Sequence, residues 1–121
     1  MTTSPSDVAI RYLRGLAAHS WDDVAVCLAA GVLRRGPYGD DYKGAAEYLE
    51  FLKNTMPTLP GYRMDIDRVT GISEHRVMVE LRETIEIESG PLVTYEVLTF
   101  DLDGEGLLEE ICIYIRQAPR T

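Results

Sequence analysis

The stretch VMVELRETIEIE, residues 77 to 88, alternates apolar and polar side chains. This is the two-residue period of a half-buried strand. Val77, Val79, Leu81, Ile85 and Ile87 fall on one face, and Glu83 interrupts that same row. A buried ionised carboxylate is costly unless it is paired or takes up a proton, so either Glu83 lines a cavity or the strand leaves the core there and the side chain reaches water at the rim. In a cavity, desolvation would push its pKa toward the range useful for general acid or base work, while a neighbouring guanidinium would keep it ionised. Either state makes Glu83 the leading polar group of such a pocket. Glu96 and Glu109 occupy similar rows nearer strand ends and are expected to be exposed.

The elements that must position Glu83 are legible in turn. SPSD at residues 4 to 7 is a helix start, with Ser4 as cap, Pro5 at the first helical position and Asp7 as the capping-box acid. The first helix should run to about Ala18, with Val8, Ala9, Tyr12, Leu13, Leu16 and Ala17 on one face. SWDD repeats the signal, with Ser20 capping, and opens a second helix through VAVCLAAG that Gly31 ends. A short strand, a Gly-Pro turn and a second extended piece lead to a third helix, AAEYLEFLKNTM, with periodicity through Leu49, Leu52 and Met56, stopped by Pro57 and Pro60. Four strands follow at about 62–70, 76–88, 92–102 and 107–117, separated by short turn-rich links. Helices first and an antiparallel meander after them imply an α+β architecture, three N-terminal helices covering one face of a curved, mainly antiparallel sheet. The inward rows would be Tyr62, Met64 and Ile66; the Glu83 row; Glu96, Leu98, Phe100 and Leu102; and Leu107, Glu109, Ile111, Ile113 and Ile115. A one-residue slip would exchange the faces of any of them.

A length of 121 residues suits one domain, residues 1–121. The net charge of −8 argues against nucleic acid or an anionic membrane as partner. No apolar run approaches the roughly 20 residues that span a bilayer, and MTTSPSD shows no secretory signal, so a cytoplasmic location is expected. Cys27 and Cys112 read as buried thiols. His19 and His75 stand far apart, and no metal site is expected. On the outer sheet face, Val93, Tyr95, Val97 and Thr99, with Cys112 and Tyr114 beside them, would leave an apolar patch wet in a monomer, and a sheet-to-sheet homodimer is expected.

AIRYLRGLAAHSWDDVAVCLAAGVLRRGPYGDDYKG, followed by a helix opened by Gly44 and four strands, resembles the nuclear-transport-factor-two-like superfamily, in its branch of SnoaL-like cyclases, ketosteroid isomerases and limonene epoxide hydrolases. The resemblance covers nearly the whole chain. It implies a cystatin-like cone with a pocket between sheet and helices, holding an apolar or lightly oxidised small molecule, and often a sheet-to-sheet dimer. Tyr12, in RYL, matches the isomerase tyrosine that donates to a developing oxyanion. The isomerase base falls on Arg35 or Gly36, and the isomerase's protonated Asp falls on Leu98, so that catalytic set is incomplete. The epoxide hydrolase set of one Arg and two Asp is incomplete too, with Arg82 and Thr84 on the outer face and Ile113 near the second acid. SnoaL-type cyclisation demands one acidic group in an apolar pocket, which Glu83 would meet.

If Arg35 stands where the isomerase base does, it points into the cavity and pairs with Glu83. Tyr38 in the GPYG turn would overhang the mouth. Phe51, Leu52, Thr55 and Met56 would form one wall, with Leu98, Phe100, Ile111 and Ile113 on the sheet side. The expected function is a cofactor-independent acid–base enzyme of isomerase, cyclase or epoxide-opening type. Its substrate would be a small, largely apolar, oxygen-bearing molecule, with Glu83 shuttling the proton and Arg35 and Tyr12 holding the oxygen that gains charge. The alternatives are a non-catalytic binding protein of the same fold and a protein-interaction domain.

Overall fold

The computed structural model describes residues 4 to 116. Helix α1 is Pro5–Ala17, and the Asp7 N–H donates to Ser4 Oγ at 3.2 Å, so the cap stands where the sequence places it. Its buried face carries Val8, Ala9, Tyr12, Leu13 and Leu16. Helix α2, Trp21–Ala25, is much shorter than its sequence suggests. Ser20 Oγ donates to Asp23 Oδ2 at 2.7 Å instead of capping a backbone N–H. The Ala-rich CLAAG segment favours a helix by propensity. It instead enters strand β1, Leu28–Arg35, because the Leu108 N–H donates to the Cys27 carbonyl at 2.8 Å and Leu28 pairs with Leu108. Long-range pairing has overridden the local preference.

Strand β2, Asp41–Lys43, returns antiparallel to β1 and leads into helix α3, Ala45–Thr55, which closes with a tight turn at Met56–Thr58. Helix α3 buries Tyr48 and Leu52, with Met56 beyond them. The last four strands are β3, Arg63–Ser73; β4, Arg76–Ile87; β5, Gly90–Leu102; and β6, Leu108–Arg116. All six form one curved sheet in the order β2-β1-β6-β5-β4-β3, antiparallel except where β1 runs parallel to β6. Among the described residues no helix is long and apolar enough to cross a membrane.

The β4 and β5 rows face as their alternation implies, Val77, Val79 and Leu81 packing beside Leu98, Phe100 and Leu102 in the core. Strand β6 departs from its expected row. Leu102 pairs with Leu108 while Asp101 pairs with Glu110, so Glu109 is an extra residue in a bulge. Leu108 and Ile111 are therefore both buried, and Glu109 turns to solvent. Phe100 is fully buried, its ring meeting Tyr12 edge to face at a centroid distance of 5.7 Å. Phe100→Ala is expected to cost about 3–5 kcal/mol of stability, measured as a shift of the urea midpoint. A loss below about 1 kcal/mol would show that this ring is not a central packing element.

Candidate functional site

Between the helices and the inner sheet face lies a cavity of about 230 Å³. Helix α1 contributes Tyr12, Leu13 and Leu16, and α3 with its closing turn contributes Tyr48, Phe51, Leu52, Thr55 and Met56. The sheet floor is Met64, Leu81, Leu98, Ile113 and Ile115, all apolar. Three carboxyls, those of Glu83, Glu96 and Asp40, and one guanidinium, that of Arg34, line this hollow. Wider grooves of about 640 and 830 Å³ beside α1 are open at the surface and rimmed by charged side chains such as Asp7 and Arg11. Converging polar groups within apolar walls mark the smaller cavity, between sheet and helices, as the candidate site.

Glu83 does line the cavity, from the middle of β4. The Tyr62 hydroxyl donates to Glu83 Oε2. Burial, with the Glu83 charge beside it, drives the Tyr62 hydroxyl far above its ordinary range, so Tyr62 stays a donor. Glu96, expected to be exposed, is 7% exposed and lines the cavity as well. On the β4–β5 ladder Leu81 faces Glu96 and Thr94 faces Glu83, so the two acids are diagonal neighbours on one face. Glu96 Oε2 is sealed from solvent with no donor partner. Burial first, and then the neighbouring Glu83 carboxylate, raise the Glu96 carboxyl to about 9. Near neutrality Glu96 keeps its proton.

The guanidinium in the cavity is Arg34, where Arg35 was expected. Arg35 is turned away, its side chain 55% exposed and its Nε 3.4 Å from Glu110 Oε1. In GVLRRG, Val32 and Arg34 face inward and Leu33 and Arg35 outward, a one-residue offset set by β6, where Arg34 faces inner Ile111 and Arg35 faces outer Cys112. Arg34 Nη1 donates to Asp40 Oδ2 at 3.0 Å and to the Asp40 carbonyl at 2.9 Å. Its guanidinium carbon lies 5.4–5.8 Å from the ring centroids of Tyr42, Tyr48 and Phe51. Burial alone would lower its pKa, but Tyr48 and the Asp40 carboxylate outweigh it and hold it above its ordinary value. Gly36 makes this close approach possible, since a Cβ there would meet Asp40 Oδ1 at 2.2 Å and Arg34 Nη1 at 2.6 Å.

Tyr12 is buried, and its hydroxyl is hydrogen-bonded to that of Tyr48, a residue the helical spacing of Tyr48, Leu52 and Met56 could have singled out. Burial raises both hydroxyls above their ordinary pKa. Phe51, Leu52, Thr55, Met56, Leu98 and Ile113 stand in the wall as expected, and Tyr38 overhangs the mouth, 73% exposed. Phe100 and Ile111 do not line the cavity: both are fully buried in the core behind it. Asp40 lines the site without having stood out in the sequence, Met64 lines it from its expected inward row, and Tyr62, just before β3, joins it through its bond to Glu83 across the sheet.

No curated protein matches the chain in sequence. Among solved structures, a ketosteroid isomerase-like protein of Kribbella flavida superposes with a TM-score of 0.80 at 20% identity, over 97% of this chain and 81% of that one. The Mycobacterium tuberculosis protein Rv0760c, solved with estradiol-17β-hemisuccinate, gives a TM-score of 0.77 at 17% identity, over 93% of this chain and 94% of that one. An LEH-like epoxide hydrolase of M. tuberculosis gives 0.79 at 17% identity, over 93% and 82%. These likenesses establish the shared fold. The family model of the SnoaL-like domain matches residues 9–106, most of the chain, and the chain therefore belongs to the SnoaL-like family within the nuclear-transport-factor-two-like fold.

Proposed function

We propose that this chain is a cofactor-independent acid–base enzyme that isomerises or cyclises a small oxygen-bearing molecule held between the sheet and the helices. The observation that carries the reading is the pair Glu83 and Glu96, two carboxyls on neighbouring strands in an apolar hollow, one keeping its proton. Such a pair supplies an acid and a base side by side. Glu83, oriented by Tyr62, takes a proton from a carbon next to a carbonyl. The electron pair moves onto the carbonyl oxygen, and the Glu96 proton is donated toward it. Return of the proton by Glu83 to a conjugated carbon, with the enol proton going back to Glu96, completes an isomerisation. Attack of the enolic carbon on a second carbonyl, with the enol proton going back to Glu96 and the Glu83 proton passing to the new alkoxide, completes a cyclisation. The Tyr12–Tyr48 hydroxyl pair, with the Arg34 charge acting on both, has one O–H left to donate to an oxygen that gains negative charge. That solved relatives include a steroid-ester complex and an epoxide hydrolase-like protein supports a pocket for oxygenated small molecules.

We also propose a homodimer through the outer sheet face. Val93, Tyr95 and Tyr114 are 39%, 44% and 56% exposed on β5 and β6, an apolar surface that a second copy would cover.

Glu83→Gln should slow deuterium uptake at the α-carbon of a small cyclic enone by about 10² to 10⁴-fold, followed by NMR. A variant with full activity removes Glu83 from the chemistry. Catalysis needs the Glu96 proton, so the rate should fall as pH rises through about 9. The same proton sets a stability trend. Between the ordinary 4.5 and about 9 the unfolded chain has lost this proton and the folded chain retains it, so stability declines as pH rises across that window. Glu96→Gln, always neutral, should flatten the decline and melt higher than the parent at pH 8, by roughly 4 °C for each kcal/mol recovered. Parallel melting curves from pH 5 to 9 would exclude the retained proton. Light scattering coupled to size-exclusion chromatography should give a dimer mass, and a monomer at micromolar concentration would refute the assembly.

A further inference from the structure

We infer that the cavity selects a compact, uncharged molecule of a single ring and turns away carboxylates and four-ring ligands. This rests on the acid–base reading above and names the substrate class of that site.

The charges inside the hollow set the first limit. Among the described residues Arg34 is the cation that lines it, and its Nη1 is already held by both the carboxylate and the carbonyl of Asp40. Those two charges cancel. Glu96, sealed from solvent beside Glu83, keeps its proton, which leaves the pair with one negative charge, braced by the neutral Tyr62 hydroxyl. A carboxylate entering here would bring a second negative charge into a poorly screened space where, among the described residues, the one lining cation is already paired with Asp40. Arg34 Nε does not change this, since it is sealed from solvent and the guanidinium is packed against the rings of Tyr42, Tyr48 and Phe51. A ligand cation would compete with Tyr62 for Glu83, and the ring faces of Tyr42, Tyr48 and Phe51 are already taken by Arg34. The net charge of −8 on the whole chain also repels anions at a distance. An uncharged molecule that becomes negative only during the reaction avoids each of these costs.

Volume sets the second limit. A dry cavity of about 150 Å³ takes one benzene, so at the same filling the present 230 Å³ takes about nine non-hydrogen atoms, one ring with a short substituent. The walls cannot easily retreat. Tyr12 and Tyr48 are fully buried and bonded to each other, and Leu52 and Leu81 are packed in the core. A four-ring ligand would leave most of its apolar surface outside the mouth at Tyr38.

Benzamide and benzoate test this as a matched pair of nine-atom ligands, one neutral and one anionic, with estradiol as the four-ring probe. Titration calorimetry on the full chain at pH 7 and low salt should show benzamide binding at least about ten-fold tighter than benzoate, with estradiol weaker than benzamide. In Glu83→Gln the preference for benzamide should shrink to within about three-fold. Benzoate binding as well as benzamide, estradiol binding more tightly than benzamide, or no benzamide binding at millimolar concentration would each overturn the inference. Benzamide has no enolisable carbon, so its binding is read apart from turnover. Catalysis of a four-ring ketone would sink the size limit and leave the acid–base chemistry standing, while selective binding without enone exchange would do the reverse.

Discussion

Glu83 and Glu96 stand diagonally across two hydrogen-bonded strands and face one apolar hollow. Two ionised carboxylates so placed would repel each other where water screens poorly, and each would also forgo its hydration. One proton retained on Glu96, whose Oε2 has no partner, relieves both costs. Tyr62 then fixes which oxygen of Glu83 is committed elsewhere. The rest of the cavity is compatible with this pair because its walls are largely apolar. Leucines and isoleucines on the floor and aromatic rings on the helical side keep the dielectric low, which is the condition under which two glutamates divide into an acid and a base.

The other end of the hollow solves a different problem. A buried guanidinium without a counter-charge would unfold the site around it. Asp40 supplies the counter-charge from the turn between β1 and β2, and the missing side chain at Gly36 lets that turn fold back far enough. Arg34 is thereby tied to the turn that carries Tyr38 at the cavity mouth, and to helix α3 through the ring faces of Tyr48 and Phe51. The same tether holds β1, β2 and α3 in register. Function and stability share these contacts, so the cationic end is better understood as a fixed wall than as a free anion receptor.

Much of this was legible beforehand. Helix α1, its Ser4 cap and the four C-terminal strands follow from short-range periodicity and turn chemistry, which depend on residues within a few positions of one another. Glu83 was visible for the same reason, as a polar residue in an apolar row. Glu96 emits the same signal ahead of Leu98, Phe100 and Leu102, yet its burial depends on what covers the strand end. The length of α2 was not legible, because the residues after Ala25 are claimed by β6, some eighty positions away.

What the sequence by itself determined was the order of elements, the fold and the presence of an acid on an inward row, since alternation and capping are local physics. What only the tertiary structure decided was which arginine enters the cavity and which carboxyl keeps a proton. Leu33–Arg35 and Val32–Arg34 are equivalent apolar–cation pairs to any local rule, and strand pairing with β6 breaks the tie. The partnership of Glu83 with Glu96 and Tyr62 likewise exists only across strands, because electrostatic coupling and desolvation depend on distance in space and not along the chain.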